Sequence, residues 1–163
     1  MKKTKINMKK YFLSLSLLCA LCACSSSDEN TKDMTYPVIN TTDIVAIPTD
    51  CDVFKPGDVI PVSFLFTDDT ELGSYNIEIH NNFDHHTHST SSVECSMEEG
   101  KKPVKPWVFN QDYTIPAGMQ SFNARHDITI PADIDTGDYH FMVRLTDRAG
   151  WQQLHAVAIK ILP

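Results

Sequence analysis

Four of the chain's seven histidines fall within nine positions, in the segment HNNFDHHTH (80–88). Imidazole nitrogens are good ligands for zinc, copper, nickel and iron, whereas calcium and magnesium prefer oxygen. If residues 84–88 are extended, His86 and His88 share one face with Cα atoms about 6.5–7 Å apart, so both rings can reach one ion. His85 then points the other way. The segment therefore predicts a transition-metal site.

The rest of the chain predicts strands as the elements that position these histidines. Period-two alternation, with β-branched and aromatic residues on the apolar side, is typical of strands buried on one face. The segments with this pattern are VIPVSFLF (59–66), SYNIEIH (74–80), HDITIP (126–131), DYHFMVRL (138–145) and LHAVAIKIL (154–162). Clusters of turn-forming residues separate them. We therefore expect one all-β domain, an antiparallel β-sandwich of about seven strands.

Two stretches carry a family resemblance. DVIPVSFLFTDDTELGSYNIEIH (58–80) and IPADIDTGDYHFMVRLTDRAGW (130–151) resemble parts of bacterial immunoglobulin-like domains. The pattern that joins IHNNFDHHTHS to HDITIPAD and GDYHFMVRLTDRAG resembles an uncharacterised Bacteroidetes lipoprotein domain of unknown function over most of residues 36–163. The resemblance implies an immunoglobulin-like fold and no established activity.

Strand parity extends the candidate site beyond the histidine-rich segment. In an immunoglobulin-like sandwich the strands at 74–80 and 138–145 neighbour each other in one sheet. His80 and His140 then lie on the same outward face of that sheet. The preferred ligand set is His80, His86, His88 and His140, with His85 in place of His86 if the loop turns. Asp84 could bind the metal directly or hold a histidine tautomer from behind the ligands.

The remaining histidines are weaker candidates. His126 begins a strand on the parity of Ile128, so it is either a further ligand or a hydrogen-bonded residue at the core edge. His155 has the parity of Val157 and is interpreted as structural. An imidazole set favours zinc or copper, with iron or nickel as alternatives. The sequence has no HExxH motif, paired-cysteine zinc knuckle, nucleophile elbow or phosphate-binding glycine loop, so we expect a binding protein rather than an enzyme.

Other functions remain open at this point. The histidine loop can be a solvated surface, or a cluster that becomes charged below about pH 6.5. The segment 89–110 is long for a hairpin connection. Trp107 and Phe109 are expected to begin the next strand, although an exposed Trp107 could stack on a sugar. The alternative is therefore an immunoglobulin-like accessory module that binds a glycan or a partner protein. A purely structural spacer is a third reading.

The N-terminal residues predict export. Five lysines precede an apolar run, Tyr11–Ala23, and no acidic residue occurs before Asp28. This layout is typical of a secretory signal, because the run is too short for a permanent membrane span. LCAC resembles a bacterial lipobox in which Cys24 is acylated, and the acidic residues after it resemble the surface-export signals of Bacteroidetes lipoproteins. We expect a signal peptide at 1–23, a flexible tether at 24–35 and the sandwich at 36–163.

These features imply an outer-membrane lipoprotein at the cell surface or, alternatively, facing the periplasm. A lipid anchor would hold it in the membrane, where a metal transporter or receptor could be its partner. The chain has 14 basic and 21 acidic residues, and five of the lysines lie in residues 1–23, so the mature chain has a net charge of −12. This charge excludes nucleic acid as a phosphate-bound partner. Cys51 and Cys95 are the pair that remains, and an oxidising compartment favours a disulfide over two free thiols or Cys95 as a metal ligand.

Overall fold

The computed structural model describes residues 32–42, 46–88, 90 and 93–163. The expected signal peptide, the acylated Cys24 and the expected tether up to residue 31 lie outside these residues. The described part is all-β, and none of it forms a helix long and apolar enough to cross a membrane. Its strands are β1 (Val38–Asn40), β2 (Val53–Phe54), β3 (Val59–Thr67), β4 (Leu72–Asn81), β5 (Phe109–Thr114), β6 (Ser121–Thr129), β7 (Gly137–Asp147) and β8 (Gln152–Ile161).

The strands form two sheets, one in the order β1–β3–β6 and one in the order β2–β8–β7–β4–β5. Neighbouring strands run antiparallel, except that β2 pairs with β8 in parallel. The predicted all-β sandwich is confirmed, with eight described strands instead of about seven. The sequence predicts neither β1 nor β2, because three and two residues are too few to show an alternating pattern.

Strand β6 differs most from its predicted bounds. It begins at Ser121 instead of residue 126, because Phe122 and Ala124 continue the same alternation toward the core. It ends at Thr129, two residues before Pro131, which cannot donate a hydrogen bond to a ladder. The earlier start pairs β6 with the whole of β3.

Alternating apolar side chains fill the space between the sheets. Phe64 of β3 packs against Phe141 of β7, with ring centroids 6.2 Å apart, and so joins the two sheets. Ile77 and Ile79 of β4 belong to the same buried cluster. Burying each such side chain stabilises the fold by roughly 1.5–3 kcal/mol. The core thereby holds β4 and β7 side by side as a rigid base for groups on their outer face.

The outer face of β7 is itself covered, which the alternation of its sequence does not predict. His140 and Met142 point away from the core, yet they are only 3% and 6% exposed. Part of the cover is the segment between β4 and β5: the Glu98 amide donates to Asp138 Oδ2, and Asn82 donates to the Asp138 carbonyl. The polar residues at the start of β7 are therefore buried under a loop and do not face solvent.

Candidate metal centre

Strands β4 and β7 place the first two histidines. His80 and His140 are direct cross-strand partners in the antiparallel register. Their ring centroids lie 5.5 Å apart on the outer face of the five-stranded sheet. The predicted neighbouring strands and the shared outward parity of these two residues therefore hold in the structure.

The loop after β4 brings in the other two rings by a turn. The His85 amide donates to the Asn82 carbonyl at 3.2 Å, and His85 has a left-handed φ of +58°. The segment 84–88 therefore contains a turn, whereas the shared face of His86 and His88 was predicted for an extended segment. His86 and His88 nevertheless both lie against His80, with ring centroids at 5.4 and 5.3 Å.

The four rings form a compact cluster, which we call the histidine cluster: His80, His86, His88 and His140. Their six centroid–centroid distances all lie between 4.9 and 5.5 Å. Four points at nearly equal separations are the corners of a nearly regular tetrahedron. Three of the rings offer nitrogen atoms within 4.8 Å of one another, those of His80, His86 and His88.

Carboxylates lie behind two of these rings. His86 Nδ1 donates to Asp84 Oδ1 at 2.5 Å, and this hydrogen bond lowers the pKa of Asp84. Because a carboxylate can only accept, the proton of neutral His86 sits on Nδ1 and its Nε2 carries a lone pair. His80 Nδ1 lies 3.1 Å from Glu78 Oε1, close enough for electrostatic attraction. This buried nitrogen makes no well-formed hydrogen bond in the described part of the chain.

Burial keeps the deeper rings neutral. It lowers the pKa of His80, against the opposing effect of the Glu78 charge, and the neighbouring His86 and His88 lower that pKa further. Burial likewise lowers the pKa of His140, although its hydrogen bond to the His86 carbonyl acts in the opposite direction. Neutral imidazole is the form that binds a metal ion, so these two rings are in the ligand form near neutral pH.

His140 forms the floor of the cluster. Its Nε2 donates to the His86 carbonyl at 3.0 Å, which leaves Nδ1 as the acceptor nitrogen. That Nδ1 is buried and has no hydrogen-bond partner among the described residues. His140 does not belong to the set of nitrogens within 4.8 Å of one another. The arrangement thus consists of three converging nitrogens and a fourth ring packed against them.

The other candidate histidines lie elsewhere. His85 donates from Nε2 to the Glu98 carbonyl at 3.1 Å and so fastens the loop. His126 lies in the three-stranded sheet, where its Nε2 is 2.6 Å from the Tyr75 hydroxyl and burial lowers its pKa. His155 packs edge-on against Phe64, with centroids 5.8 Å apart. Asp84 accepts the hydrogen bond from His86 Nδ1, so it lies behind this ring, which was one of the two predicted roles of Asp84.

A disulfide attaches the histidine loop to the rest of the domain. Cys51 and Cys95 are bonded, with Cα atoms 5.5 Å apart and a sequence separation of 44. Cys51 is also fixed by its amide, which donates to the Ala158 carbonyl of β8. The loop is fastened a second time by Thr90, whose amide donates to the Ala156 carbonyl. Both attachments hold the loop over the outer face of the sheet.

The loop encloses a cavity beside the cluster, which the sequence reading did not find. Its volume is about 520 Å³, and His86 and His140 form part of its wall. On its other side, Lys160 Nζ lies 2.6 Å from Glu98 Oε1 and 3.3 Å from Asp138 Oδ1. The sequence contained one signal for these buried charges. Lys160 lies between two buried isoleucines of the last strand, and a charged residue in such a strand needs a partner.

Trp107 does not provide a sugar-stacking surface. It is 8% exposed and packs against Phe109 and Tyr139, with centroids 6.3 and 6.5 Å away. Its amide donates to the Tyr139 hydroxyl. The exposed aromatic ring on which the glycan alternative depended is therefore part of the core.

Fold and site together define an all-β sandwich domain with four clustered histidines on one sheet face. The chain belongs to the family described as a domain of unknown function, DUF4625, whose model matches residues 22–162. A search of curated proteins found no match to this chain.

Proposed function

We propose that this protein is a membrane-anchored lipoprotein that binds one transition-metal ion at the histidine cluster, for capture of the ion or its handover to a transporter or receptor. The observation that carries the proposal is the convergence of the His80, His86 and His88 nitrogens within 4.8 Å of one another. His140 is the fourth candidate ligand, since its buried Nδ1 lacks a hydrogen-bond partner among the described residues.

The dimensions of the cluster suit zinc. Zinc binds imidazole nitrogens at about 2.0–2.1 Å, and three nitrogens, those of His80, His86 and His88, converge within 4.8 Å of one another. Tetrahedral coordination by nitrogen is the usual geometry of this ion in proteins. Copper is the competing ion, because divalent copper binds nitrogen sites more tightly at equilibrium.

The contact between His80 and His86 leaves a lone pair that a cation can use. Their Nε2 atoms lie 3.2 Å apart. Because the proton of neutral His86 sits on Nδ1, its Nε2 carries a lone pair that faces His80. Either the Nε2 proton of His80 or a metal ion can meet this lone pair. The metal ion is the alternative that would also engage the nitrogen of His88.

The surroundings favour binding over catalysis. A catalytic zinc needs an open coordination position and a carboxylate free to act as a base. The two carboxylates beside the cluster, Glu78 and Asp84, already face imidazole nitrogens. The adjoining cavity of about 520 Å³ supplies a route by which an ion can enter and leave.

The anchor rests on the residues before the domain. The lipobox-like LCAC is what supports acylation of Cys24, ahead of the fold. The disulfide between Cys51 and Cys95 supports export, because such bonds persist outside the reducing cytosol. A domain held at a membrane surface by lipid is suited to concentrating an ion near a transporter.

Metal analysis of the full-length protein, purified without a polyhistidine tag, tests the proposal. We expect one zinc or copper ion per chain, measured by mass spectrometry of the metal and by titration against a competing chelator. The double variant His86→Ala, His88→Ala should lose this binding, because two of the three converging nitrogens are gone. His126→Gln is the matched control, since it removes a histidine outside the cluster, and it should bind as the wild type does.

Two results would overturn the proposal. One is the absence of stoichiometric zinc or copper in the wild type after titration. The other is binding that survives in the double variant. Thermal unfolding of the wild type, the double variant and His126→Gln checks whether a loss of metal binding is caused by a loss of fold.

A further inference from the structure

We infer that the protein has a second metal site, of the calcium type, formed by Asp33, Asp68 and Asp147 at the end of the sandwich opposite the histidine cluster. One carboxylate oxygen from each residue lies within 4.8 Å of the others. The site does not depend on the transition-metal function, because it shares no residue with the histidine cluster.

Three distant parts of the chain meet at this point. Asp68 directly follows β3, and Asp147 is the last residue of β7. Asp33 precedes β1 and is held in place by Trp151, whose indole Nε1 donates to the Asp33 carbonyl at 3.0 Å. The convergence is therefore built by tertiary structure and is not an acidic run of sequence.

Each carboxylate uses one oxygen to hold its own turn. Asp33 Oδ1 accepts from the Thr35 amide, and Asp68 Oδ1 accepts from the amides of Thr70 and Glu71. Asp147 Oδ1 accepts from the amides of Gly150 and Trp151 at 2.6 and 2.8 Å. These bonds fix the orientation of all three side chains and leave the second oxygens of Asp68 and Asp147 for another partner.

The second oxygens of the two deeper residues have no such partner. Asp68 Oδ2 and Asp147 Oδ2 are buried, and within the described part of the chain neither accepts a hydrogen bond. Asp147 is only 4% exposed. A buried carboxylate oxygen without a partner is strongly unfavourable, so the arrangement points to a cation that these oxygens bind.

Close carboxylates also repel one another unless a cation lies between them. Hydrogen bonds from the Thr35 amide and hydroxyl lower the pKa of Asp33, which keeps its charge. The nearby Arg148 is engaged elsewhere, with its Nε 3.5 Å from Glu71 Oε1. A divalent ion would satisfy both the buried oxygens and the accumulated negative charge.

The ligand chemistry selects calcium. All three groups are carboxylates, the hard oxygen ligands that calcium prefers, and calcium–oxygen bonds of about 2.4 Å span about 4.8 Å across the ion. Calcium accepts irregular sets of six to eight oxygens, so water and backbone carbonyls can complete the shell. Zinc and copper instead prefer the nitrogen-rich cluster at the other end.

The backbone around Asp147 is tightly packed. Gly73 lies at a bulge between β4 and β7, and a Cβ atom there would lie 2.7 Å from the Asp147 carbonyl oxygen. The glycine therefore allows the two strands to approach closely where the carboxylate is held. An ion bound here would also fasten the segment at Asp33, the point where the chain enters the domain.

Calcium titration of the full-length protein, after treatment with a chelator, tests this site. We expect one calcium ion with a Kd below about 1 mM, the weak end of the range for extracellular calcium-binding modules, and a Tm that rises with calcium concentration. Asp147→Asn and Asp33→Asn should each weaken binding about tenfold or more, because each removes a charged ligand. Both variants should fold. Asp147→Asn keeps an oxygen that can accept from Gly150 and Trp151, and Asp33 is only partly buried.

Asp127→Asn is the matched control, because Asp127 is an exposed aspartate of β6 that lies outside the cluster. It should bind calcium as the wild type does. The inference fails if the wild type binds no calcium at 10-fold above that limit, about 10 mM. It also fails if binding is unchanged in both Asp147→Asn and Asp33→Asn. The histidine double variant should keep its calcium site, so failure of one site is distinguishable from failure of the other.

Discussion

The two ends of strand β7 carry opposite chemistry. Near its start, His140 forms the floor of a nitrogen cluster, and at its end Asp147 belongs to a cluster of carboxylate oxygens. The two residues are seven positions apart, roughly 23 Å along the strand. One sheet thus carries nitrogen donors at one end, where we propose a borderline-soft ion, and oxygen donors at the other, where we propose a hard ion.

The clusters also differ in how they are assembled. Two of the four histidine rings come from a long loop whose position depends on a disulfide and on a few hydrogen bonds to β8. The aspartates are held by hydrogen bonds to amides two to four residues away along the chain. The histidine cluster therefore depends on a long loop closed by a cross-link, whereas the aspartate side chains are oriented by their own turns at positions that the paired strands bring together.

Removal of the disulfide should have the most different effects on the metal affinities of the two proposed sites. The double variant Cys51→Ser, Cys95→Ser loses a cross-link over 44 residues, and the entropy of the unfolded chain then reduces the free energy of unfolding by about 4 kcal/mol. Zinc affinity should fall as well, because the loop that carries His86 and His88 is no longer fixed. Denaturant unfolding and zinc titration measure the two effects.

Calcium affinity is the internal control for this variant and should change little while the protein is folded. Equal losses at both sites would contradict the proposed difference in assembly. Wild-type protein treated with a reductant should reproduce the behaviour of the variant.

Acid should distinguish the sites next. As pH falls from 7 to 5, protons compete with the metal for the imidazole nitrogens, so zinc affinity should fall on the order of 100-fold or more. Burial lowers the pKa values of His80 and His140, and the loss should therefore occur below pH 6.5 and not above it.

Calcium binding should respond much less over the same range. Carboxylates usually titrate near pH 4, and the hydrogen bonds from Thr35 hold the pKa of Asp33 below its ordinary value. We expect a change of less than about threefold, measured by calorimetry in buffers that do not bind metals. A zinc affinity that is flat from pH 7 to pH 5 would argue against imidazole ligands.

The smallest expected effect concerns the support of a single ring. Asp84→Asn keeps the size of the side chain but removes the charge that faces His86 Nδ1. Zinc affinity should fall about tenfold, the lower end of the range for such supporting residues, because Asp84 is 75% exposed. Competition with a chelator measures the change, with Asp127→Asn as the matched control. An unchanged affinity would mean that the loop alone orients His86.

Sequence alternation was sufficient to predict the part of the site that lies on strands. The parity of His80 and His140 follows from the apolar residues on either side of them, so their shared face could be predicted. The left-handed turn at His85 could not, because it depends on contacts with Asn82 and Glu98. The burial of His140 was also missed, since a strand's own pattern does not show which loop will cover it.

The aspartate cluster was outside the reach of sequence reasoning for a different reason. Asp68 and Asp147 each occur in a stretch rich in turn-forming residues, and this local role explains them fully at the sequence level. Their convergence with Asp33 arises from the pairing of strands that are far apart in the chain. The second oxygens of these carboxylates can be recognised as candidate ligands only when the three turns are considered together.

The contact between Trp151 and Asp33 fixes the place where the chain enters the domain. The polypeptide joins the sandwich at the acidic pole, so whatever is attached upstream is attached there. The imidazole pole lies toward the other end of the sheet, away from this point of entry.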